Sequence, residues 1–209
     1  MGSSIPTLTL TLTLTLTLTL IGGLIGGIVN GWRSSLPTVL KAFNNNHVDT
    51  MNSIAVAVGM GFGFSSGFVS DRIFPRRLKT LLLTGLLGCV LSYGAFACSL
   101  KFAPHNFFSL ATSCVVAGAV HGFVAPLFYE SIAELAYPAD ESTAAAIMTI
   151  WNNIAVIISL FAAPSMTAYW NTMTVVICSG ACALLMLFSE ESYARTDAHA
   201  ASSANSLNI

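Results

Sequence analysis

The residues of this chain that could do chemistry are a few charged side chains in two short stretches of an apolar sequence. An acid and an arginine stand together at Asp71 and Arg72, and Glu130 and Glu134 follow four residues apart. Glutamates at that spacing share one face of a helix. Acids that meet arginines at a membrane boundary form ion pairs, which either fix the fold or open and close as a latch. We therefore predict a gate, with a purely structural ion pair as the alternative, formed by Asp71, Arg72, Arg76, Glu130 and Glu134.

Polar side chains also interrupt the middle of two apolar runs. Asn30 and Trp32 lie in the first run, and Trp151, Asn152 and Asn153 lie in the fifth. Polar groups at that depth are costly unless they face protein or a wet cavity. Transporters bind their solutes at this level. We predict that these five residues bind a substrate, with helix packing as the alternative.

The elements that must position these residues are long runs almost without charge. Only 8 % of the 209 residues are charged and 55 % are hydrophobic, whereas soluble domains carry about 25 % charged residues. A membrane-spanning helix needs about 20 apolar residues. The sequence therefore predicts an all-α integral membrane protein with six transmembrane helices, over residues 7–32, 48–70, 78–100, 102–129, 142–163 and 166–188.

The first run opens on a repeat of threonine and leucine at residues 7–20. Strict alternation is a strand pattern, but a lone strand in lipid leaves its backbone unpaired, so we expect a helix. We divide the chain into a low-complexity segment at 1–20 that leads into the first span, a six-helix domain at 21–188 and a disordered tail at 189–209. The tail is small and polar, without periodicity.

Basic residues predict the orientation. Arg72, Arg76, Arg77 and Lys79 follow the second run and are half of the eight basic residues. Loops rich in lysine and arginine stay in the cytoplasm. Counting spans from this loop places both termini in the cytoplasm, and leaves open whether the membrane is that of the cell or of an organelle. Asp71, in the same loop, is expected to cap the start of the fifth helix at residues 141–143.

Glycines at four-residue spacing predict close helix contacts. Small residues on one helix face let two backbones approach. The alternative is that such smooth faces let helices slide during a conformational cycle. The second run carries Gly59, Gly63 and Gly67 in this pattern, and the first carries Gly23, Gly27 and Gly31.

Composition excludes several classes of function. A net charge of −1 gives no basic surface, so no nucleic-acid partner is expected. The five cysteines lie within apolar runs and in odd number, which argues against a disulfide framework. We expect no metal and no cofactor.

One motif raises an enzyme hypothesis. Gly63 to Gly67 fits the serine-hydrolase pattern G-x-S-x-G around Ser65, and His121 offers a base. That nucleophile belongs on a strand-to-helix turn, however, and here it falls within a helix. We therefore predict no catalytic residue, and keep an intramembrane serine hydrolase as a minor alternative. Arg33, near the end of the first run, is expected to extend outward to the interface, although a substrate contact is the other possibility.

Two stretches resemble known transporters. Residues 67–77 resemble the major facilitator signature Gly-x-x-x-Asp-Arg-x-Gly-Arg-Arg, except that Phe74 replaces the second glycine and one residue is inserted before the arginine pair. Residues 128–141 resemble the Phe-Glu-x-x-x-Glu-x-x-Tyr-Pro-x-x-Glu stretch of the feline leukaemia virus subgroup C receptor-related transporters, in their C-terminal half.

The resemblance implies one six-helix half of a twelve-helix transporter that works by alternating access. It implies a small organic solute, either a choline- or ethanolamine-like cation or haem, with Asn153 at a position where the family usually has a glutamine facing the solute. The missing N-terminal half or a second copy of this chain would then be the partner. A transport-inactive truncated protein, or a module whose helices only associate, is the alternative.

Overall fold

The computed structural model describes residues 5–40, 47–73, 77–104, 106–137 and 140–188, together with Tyr193 and Thr196. These residues form six long helices and, within the described ranges, no strand. The all-α prediction is therefore confirmed. The helices are α1 (Ile5–Leu40), α2 (Val48–Phe68), α3 (Leu78–Phe102), α4 (Phe107–Ala136), α5 (Glu141–Ala162) and α6 (Ala168–Leu187); a π-helical turn (Val69–Ile73) extends α2 and a 3₁₀ turn (Ala163–Ser165) follows α5.

Five of these helices are long and apolar enough to cross a membrane: α1 over Thr13–Thr38, α3, α4, α5 with its 3₁₀ turn, and α6. The exception is α2, although its 21 residues would suffice in length. Glycines, serines and Asn52 dilute its apolar residues. The described residues thus contain the six predicted helices, five of which can span a membrane by length and composition.

The threonine–leucine repeat is helical, as the backbone argument predicts, and is part of the 36-residue helix α1. Threonine hydroxyls bond back to the preceding turn, with Thr17 Oγ1 donating to the carbonyl of Thr13 at 2.8 Å. The proposed boundary of a separate segment at residue 20 stays a prediction, and most of the tail at 189–209 lies outside the described residues.

The helices pair as two three-helix units, α1–α3 and α4–α6. The first helix of each unit packs along the second helix of the other, α1 with α5 and α4 with α2, and the third helices, α3 and α6, pack together. This exchange is the contact pattern of an internal repeat related by a pseudo-two-fold axis. It places α1 and α4 at equivalent positions, and likewise α2 and α5.

Glycines make the closest approaches in both cross-unit pairs. A Cβ added at Gly59 would lie 2.7 Å from the carbonyl oxygen of Gly118 on α4, and one added at Gly63 would lie 3.1 Å from that of Gly122. On α1, a Cβ at Gly23 would lie 2.5 Å from the Cβ of Trp151. Among the predicted packing glycines, Gly67 differs, because an added Cβ there would meet no described atom within 4 Å.

Aromatic packing joins α1 to the third helices. Trp32 is 2 % exposed and meets Tyr93 and Phe96 of α3 edge-on, at ring distances of 5.1 and 5.3 Å. Its indole nitrogen donates to Thr172 Oγ1 of α6 at 3.0 Å. A buried tryptophan with its N–H satisfied is a stable core element.

Candidate functional site

Two of the predicted substrate-binding residues bond to each other across the α1–α5 contact. Asn30 Nδ2 donates to Asn152 Oδ1 at 3.3 Å. Gly26 lies beside this amide, so that an added Cβ would lie 2.9 Å from Asn152 Oδ1. Asn30 is exposed and Asn152 half-buried. The pair therefore links the helices while leaving one amide accessible from outside this bundle.

Asn153 and Trp151 lie on the open side of α5. Ala144, Met148 and Ala155 are the buried positions of this helix, whereas Asn153 is exposed and Trp151 is 36 % exposed. Only 17 % of the membrane window of α5 is buried, against 39 % to 50 % for the other four apolar helices. An asparagine at mid-depth on an uncovered membrane helix is costly against lipid, so this face suits a protein or a wet cavity.

Trp32 lies apart from these residues. Its burial between α3 and α6 favours the packing interpretation over substrate binding. No ring contact joins Trp32, Trp151 and Tyr129, which the sequence offered as a cation-binding wall. The structure thus separates the five predicted residues into an amide pair, an exposed α5 face and a core tryptophan.

Two residues of the predicted gate lie in a segment with an unusual backbone conformation. Asp71 and Arg72 lie in the π-helical turn Val69–Ile73, a rare conformation that is frequent at functional sites. Arg72 is exposed. Arg76 lies outside the described residues, as does the Asp71 side chain. Nothing in the sequence pattern indicated the π turn.

Glu134, at the same end of the bundle, meets the tail. It is 3 % exposed, and its carboxylate accepts from the Thr196 backbone N–H at 3.2 Å and from Thr196 Oγ1 at 2.6 Å. Tyr193 Oη accepts from the Leu78 N–H at 3.1 Å. Glu130 is half-buried one turn before Glu134. These two tail residues therefore contact the bundle, and the disorder of the tail as a whole stays a prediction.

Asp140 caps the start of α5, where the sequence also predicts a cap by Asp71. Asp140 accepts from the Ser142 N–H at 3.2 Å, from Ser142 Oγ at 2.5 Å and from Thr143 Oγ1 at 3.0 Å. These hydrogen bonds, Ser142 first, hold the pKa of Asp140 below its usual value. Asp140 is thus the N-cap of α5, and the predicted Asp71 contact lies outside the described side chains.

The hydrolase motif does not assemble a catalytic pair. Ser65 Oγ donates to the Gly61 carbonyl of its own helix at 2.9 Å. His121 is buried on α4, and its Nδ1 has no hydrogen-bond partner. A nucleophile needs its base within hydrogen-bond reach, and these side chains do not share a bond. Among the described residues, no group of three His, Cys, Asp or Glu side chains is placed to hold a metal ion.

The Arg33 side chain points into the protein and not, as the sequence predicted, outward to the membrane interface. Its Nη2 is enclosed within the protein, so this end of the side chain does not reach outward to the interface. The backbone carbonyl of Arg33 accepts from Asn52 Nδ2 of α2 at 3.5 Å. The rule that terminal arginines extend to the membrane surface therefore gave the wrong direction at this position.

Comparison with known proteins assigns the family. A family model described as Major Facilitator Superfamily matches residues 36–205, which take in the end of α1 and all of α2–α6. No curated protein matches the chain. With its five membrane-capable helices, the molecule is a multi-pass integral membrane protein whose family carries out membrane transport. The chain belongs to the Major Facilitator Superfamily.

Proposed function

We propose that this chain is one six-helix half of a transporter that moves a small organic solute by alternating access. The observation that carries the proposal is the open face of α5, where Trp151 and Asn153 stand exposed at mid-depth on the least buried apolar helix. Transporters of this kind bind their solute near the midplane, where two repeats meet. A polar face at that depth is what a second half would cover.

The helix that occupies the equivalent position, α2, supports the same arrangement. Glycines, serines and Asn52 are interspersed among its apolar residues. Its exposed residues include Ser53, Gly61 and Ser65 alongside Phe64. Lipid favours a uniformly apolar surface, whereas a mixed surface suits protein or water. The partner is a second six-helix half or a second copy of this chain, and a two-fold copy would need a self-complementary face.

The gate of the proposed cycle lies at the end of the bundle that holds the π turn and Glu134. Opening this end requires contacts that can break, and the Thr196–Glu134 bonds are of that kind. With both termini in the cytoplasm, as the basic loop predicts, this is the inner gate. Substituting Asp71 with alanine is expected to change the balance between inward-open and outward-open forms more than the affinity for solute.

The solute follows from the narrower resemblance. Similarity of residues 128–141 to the feline leukaemia virus subgroup C receptor-related transporters favours a choline- or ethanolamine-like cation, with haem as the rival. Asn153 keeps an amide at a position where that family has a glutamine facing the solute. The alternative to transport is a membrane protein whose helices insert and associate without moving a solute.

The test is uptake of labelled choline, with and without Asn153→Ala. We expect the variant to insert normally and to take up less, because it loses the exposed amide. Thr84→Ala is the matched control, since Thr84 is also exposed but bonds back to the Thr80 carbonyl at 2.7 Å. Unchanged uptake in Asn153→Ala would remove this residue from the site.

A second comparison tests whether the chain acts alone. Uptake is measured in native membranes that contain the chain and in vesicles that contain only the purified chain. Uptake in native membranes alone would indicate a separate partner half, and uptake in both would indicate a homodimer. Insertion without uptake in either setting favours the transport-inactive alternative.

A further inference from the structure

A crevice of about 250 Å³ lies between α1, α5 and α6. Both α5 and α6 pack against α1, and the crevice occupies the angle between them. Trp32 is a buried residue of its lining, whereas Ile158 and Met166 are exposed ones. The crevice is therefore deep at Trp32 and open at the side of the bundle, between two helices that can each span a membrane.

The walls of the crevice favour an apolar occupant over water. Aliphatic side chains such as Leu24 make up most of the lining. Two of its polar residues make their hydrogen bonds within the protein: Asn171 Nδ2 donates to Ser35 Oγ at 3.0 Å, and Thr174 Oγ1 donates to the Trp170 carbonyl at 3.1 Å. A cavity retains water only where several polar groups face it, so an apolar group suits this lining better than water does.

The size of the crevice narrows the occupant further. An apolar cavity of roughly 150 Å³ holds a molecule as small as benzene, whereas pockets for drug-sized ligands begin at about 300 Å³. At about 250 Å³, the crevice lies between these two limits. It therefore suits a slender apolar segment better than a whole organic solute.

The crevice runs from the middle of the membrane towards one of its surfaces. Ala155 lies near the middle of the membrane-capable segment Glu141–Ser165, whereas Asn171 lies one turn after the start of α6. Trp170, in that first turn, is exposed, and tryptophans are enriched at the level of the membrane–water interface. The long axis of the crevice thus follows the direction in which lipid acyl chains run from headgroup to midplane.

We propose that this crevice binds one acyl chain of a membrane phospholipid, from the leaflet on the side of the α5–α6 connection. The acyl chain enters between α5 and α6 and lies against Trp32, where it fills a void and gains dispersion contacts with the lining. A bound chain thereby supports α5, the least buried of the apolar helices. Acyl-chain binding requires that these helices span a membrane, but it requires neither transport nor a partner half.

The test is quenching of Trp32 fluorescence by phosphatidylcholine that carries bromine atoms on its acyl chains. The full chain carries Trp151→Phe and Trp170→Phe, so that Trp32 alone emits, and is reconstituted into vesicles of brominated or unmodified lipid. Bromine quenches by close contact, and Trp32 is 2 % exposed and lines the crevice. We expect strong quenching of Trp32 by the brominated lipid and none by iodide added to the aqueous phase.

Two variants in the same background fill the crevice from different walls. Ala162→Leu on α5 and Thr174→Leu on α6 each place a larger aliphatic side chain in the lining, and each is expected to remove most of the quenching. Ala181→Leu is the matched control. Ala181 is exposed on α6 and lies outside the crevice lining, so this variant should keep the full quenching.

The outcomes separate an acyl chain from other occupants. Loss of quenching in either filling variant, with Ala181→Leu unaffected, supports the acyl-chain site. Equal quenching in the parent and all three variants overturns it, because the bromine atoms then act from the lipid around the whole bundle. The absence of quenching in the parent overturns it as well, and so does quenching by iodide alone, which indicates a water-filled crevice. If one filling variant does not fold, the other decides.

Discussion

The α1–α5 and α2–α4 contacts occupy equivalent places in the two units, yet they are built differently. In the α2–α4 contact the glycines lie on both helices, and backbone meets backbone at Gly59, Gly118 and Gly122. In the α1–α5 contact the glycines lie on α1 alone, and they meet both the backbone of α5 and its side chains, among them the Asn152 amide that bonds to Asn30. The first contact is therefore mainly backbone against backbone, whereas the second also depends on α5 side chains. We infer that α5 is the adaptable partner.

The largest effect is expected for Gly122→Ala. The added methyl group would overlap the backbone of Gly59, and no side chain is present there to move aside. The helices must separate, at a cost of about 3 kcal/mol or more. Loss of the monodisperse folded peak in detergent size-exclusion chromatography checks this. Gly61→Ala is the matched control, since its Cβ meets no atom within 4 Å, and equal behaviour of the two variants would contradict the backbone contact.

A somewhat smaller effect is expected for Gly27→Ala in the α1–α5 contact. Its methyl group would meet the Asn152 carbonyl and lie 2.6 Å from the Ala155 Cβ. We expect a loss of about 1–3 kcal/mol, measured as a lower Tm. The double variant Gly27→Ala/Ala155→Gly should recover part of that loss, because one of the two clashes is with a removable methyl group. No such rescue exists for Gly122, because its added Cβ would meet only backbone atoms of Gly59. If Ala155→Gly recovers no stability in the Gly27→Ala variant, the proposed difference between the α1–α5 and α2–α4 contacts is wrong.

Asn152→Ala tests the polar link alone. It removes the acceptor of the Asn30 hydrogen bond, and we expect a loss of about 0.6 kcal/mol, typical of hydrogen bonds between membrane helices. Asn153→Ala, one residue on and exposed, should leave Tm unchanged while lowering uptake. If Asn153→Ala lowers Tm as much as Asn152→Ala does, the exposed face of α5 contributes to stability as much as the face that contacts α1, which contradicts this prediction.

The smallest effect is expected at the cap of α5. The pKa of Asp140 is lowered by its hydrogen bonds to Ser142 and Thr143. The corresponding stability is present above the unfolded-state pKa and is lost as the pH falls through the folded-state pKa. Asp140→Asn keeps a good N-cap without the titration. The fall in Tm between neutral and acidic pH should therefore be smaller in Asp140→Asn than in the wild type, and an identical fall would exclude Asp140 as a contributor.

Some of this architecture follows from the sequence, and some does not. Apolar run length gave the helices, since crossing lipid needs about 20 apolar residues, and the four-residue glycine spacing marked contact faces on α1 and α2. The sequence did not show which helix packs against each of these faces, because lipid-facing and core-facing positions are equally apolar in a membrane protein. Asn30 and Asn152 were both singled out by depth, but their mutual bond joins residues 122 positions apart.

The sequence also did not predict where the Arg33 side chain points or what the tail residues contact. Sequence position placed Arg33 near the end of α1, where the usual expectation is a side chain that reaches water, whereas the enclosure of its Nη2 depends on the packing of the whole bundle. Likewise, a polar tail without periodicity gave no sign that Thr196 would meet Glu134. Such contacts depend on tertiary geometry and not on local pattern.

The length of α1 has a consequence for how the protein sits in its membrane. Thirty-six residues make a rod about 54 Å long, whereas the hydrocarbon layer is about 30 Å thick. Helices that exceed the bilayer lean or protrude, at a small energetic cost per ångström of hydrophobic mismatch. The first helix can therefore meet bilayers of different thickness by changing its tilt or its protrusion, which makes it tolerant of lipid composition.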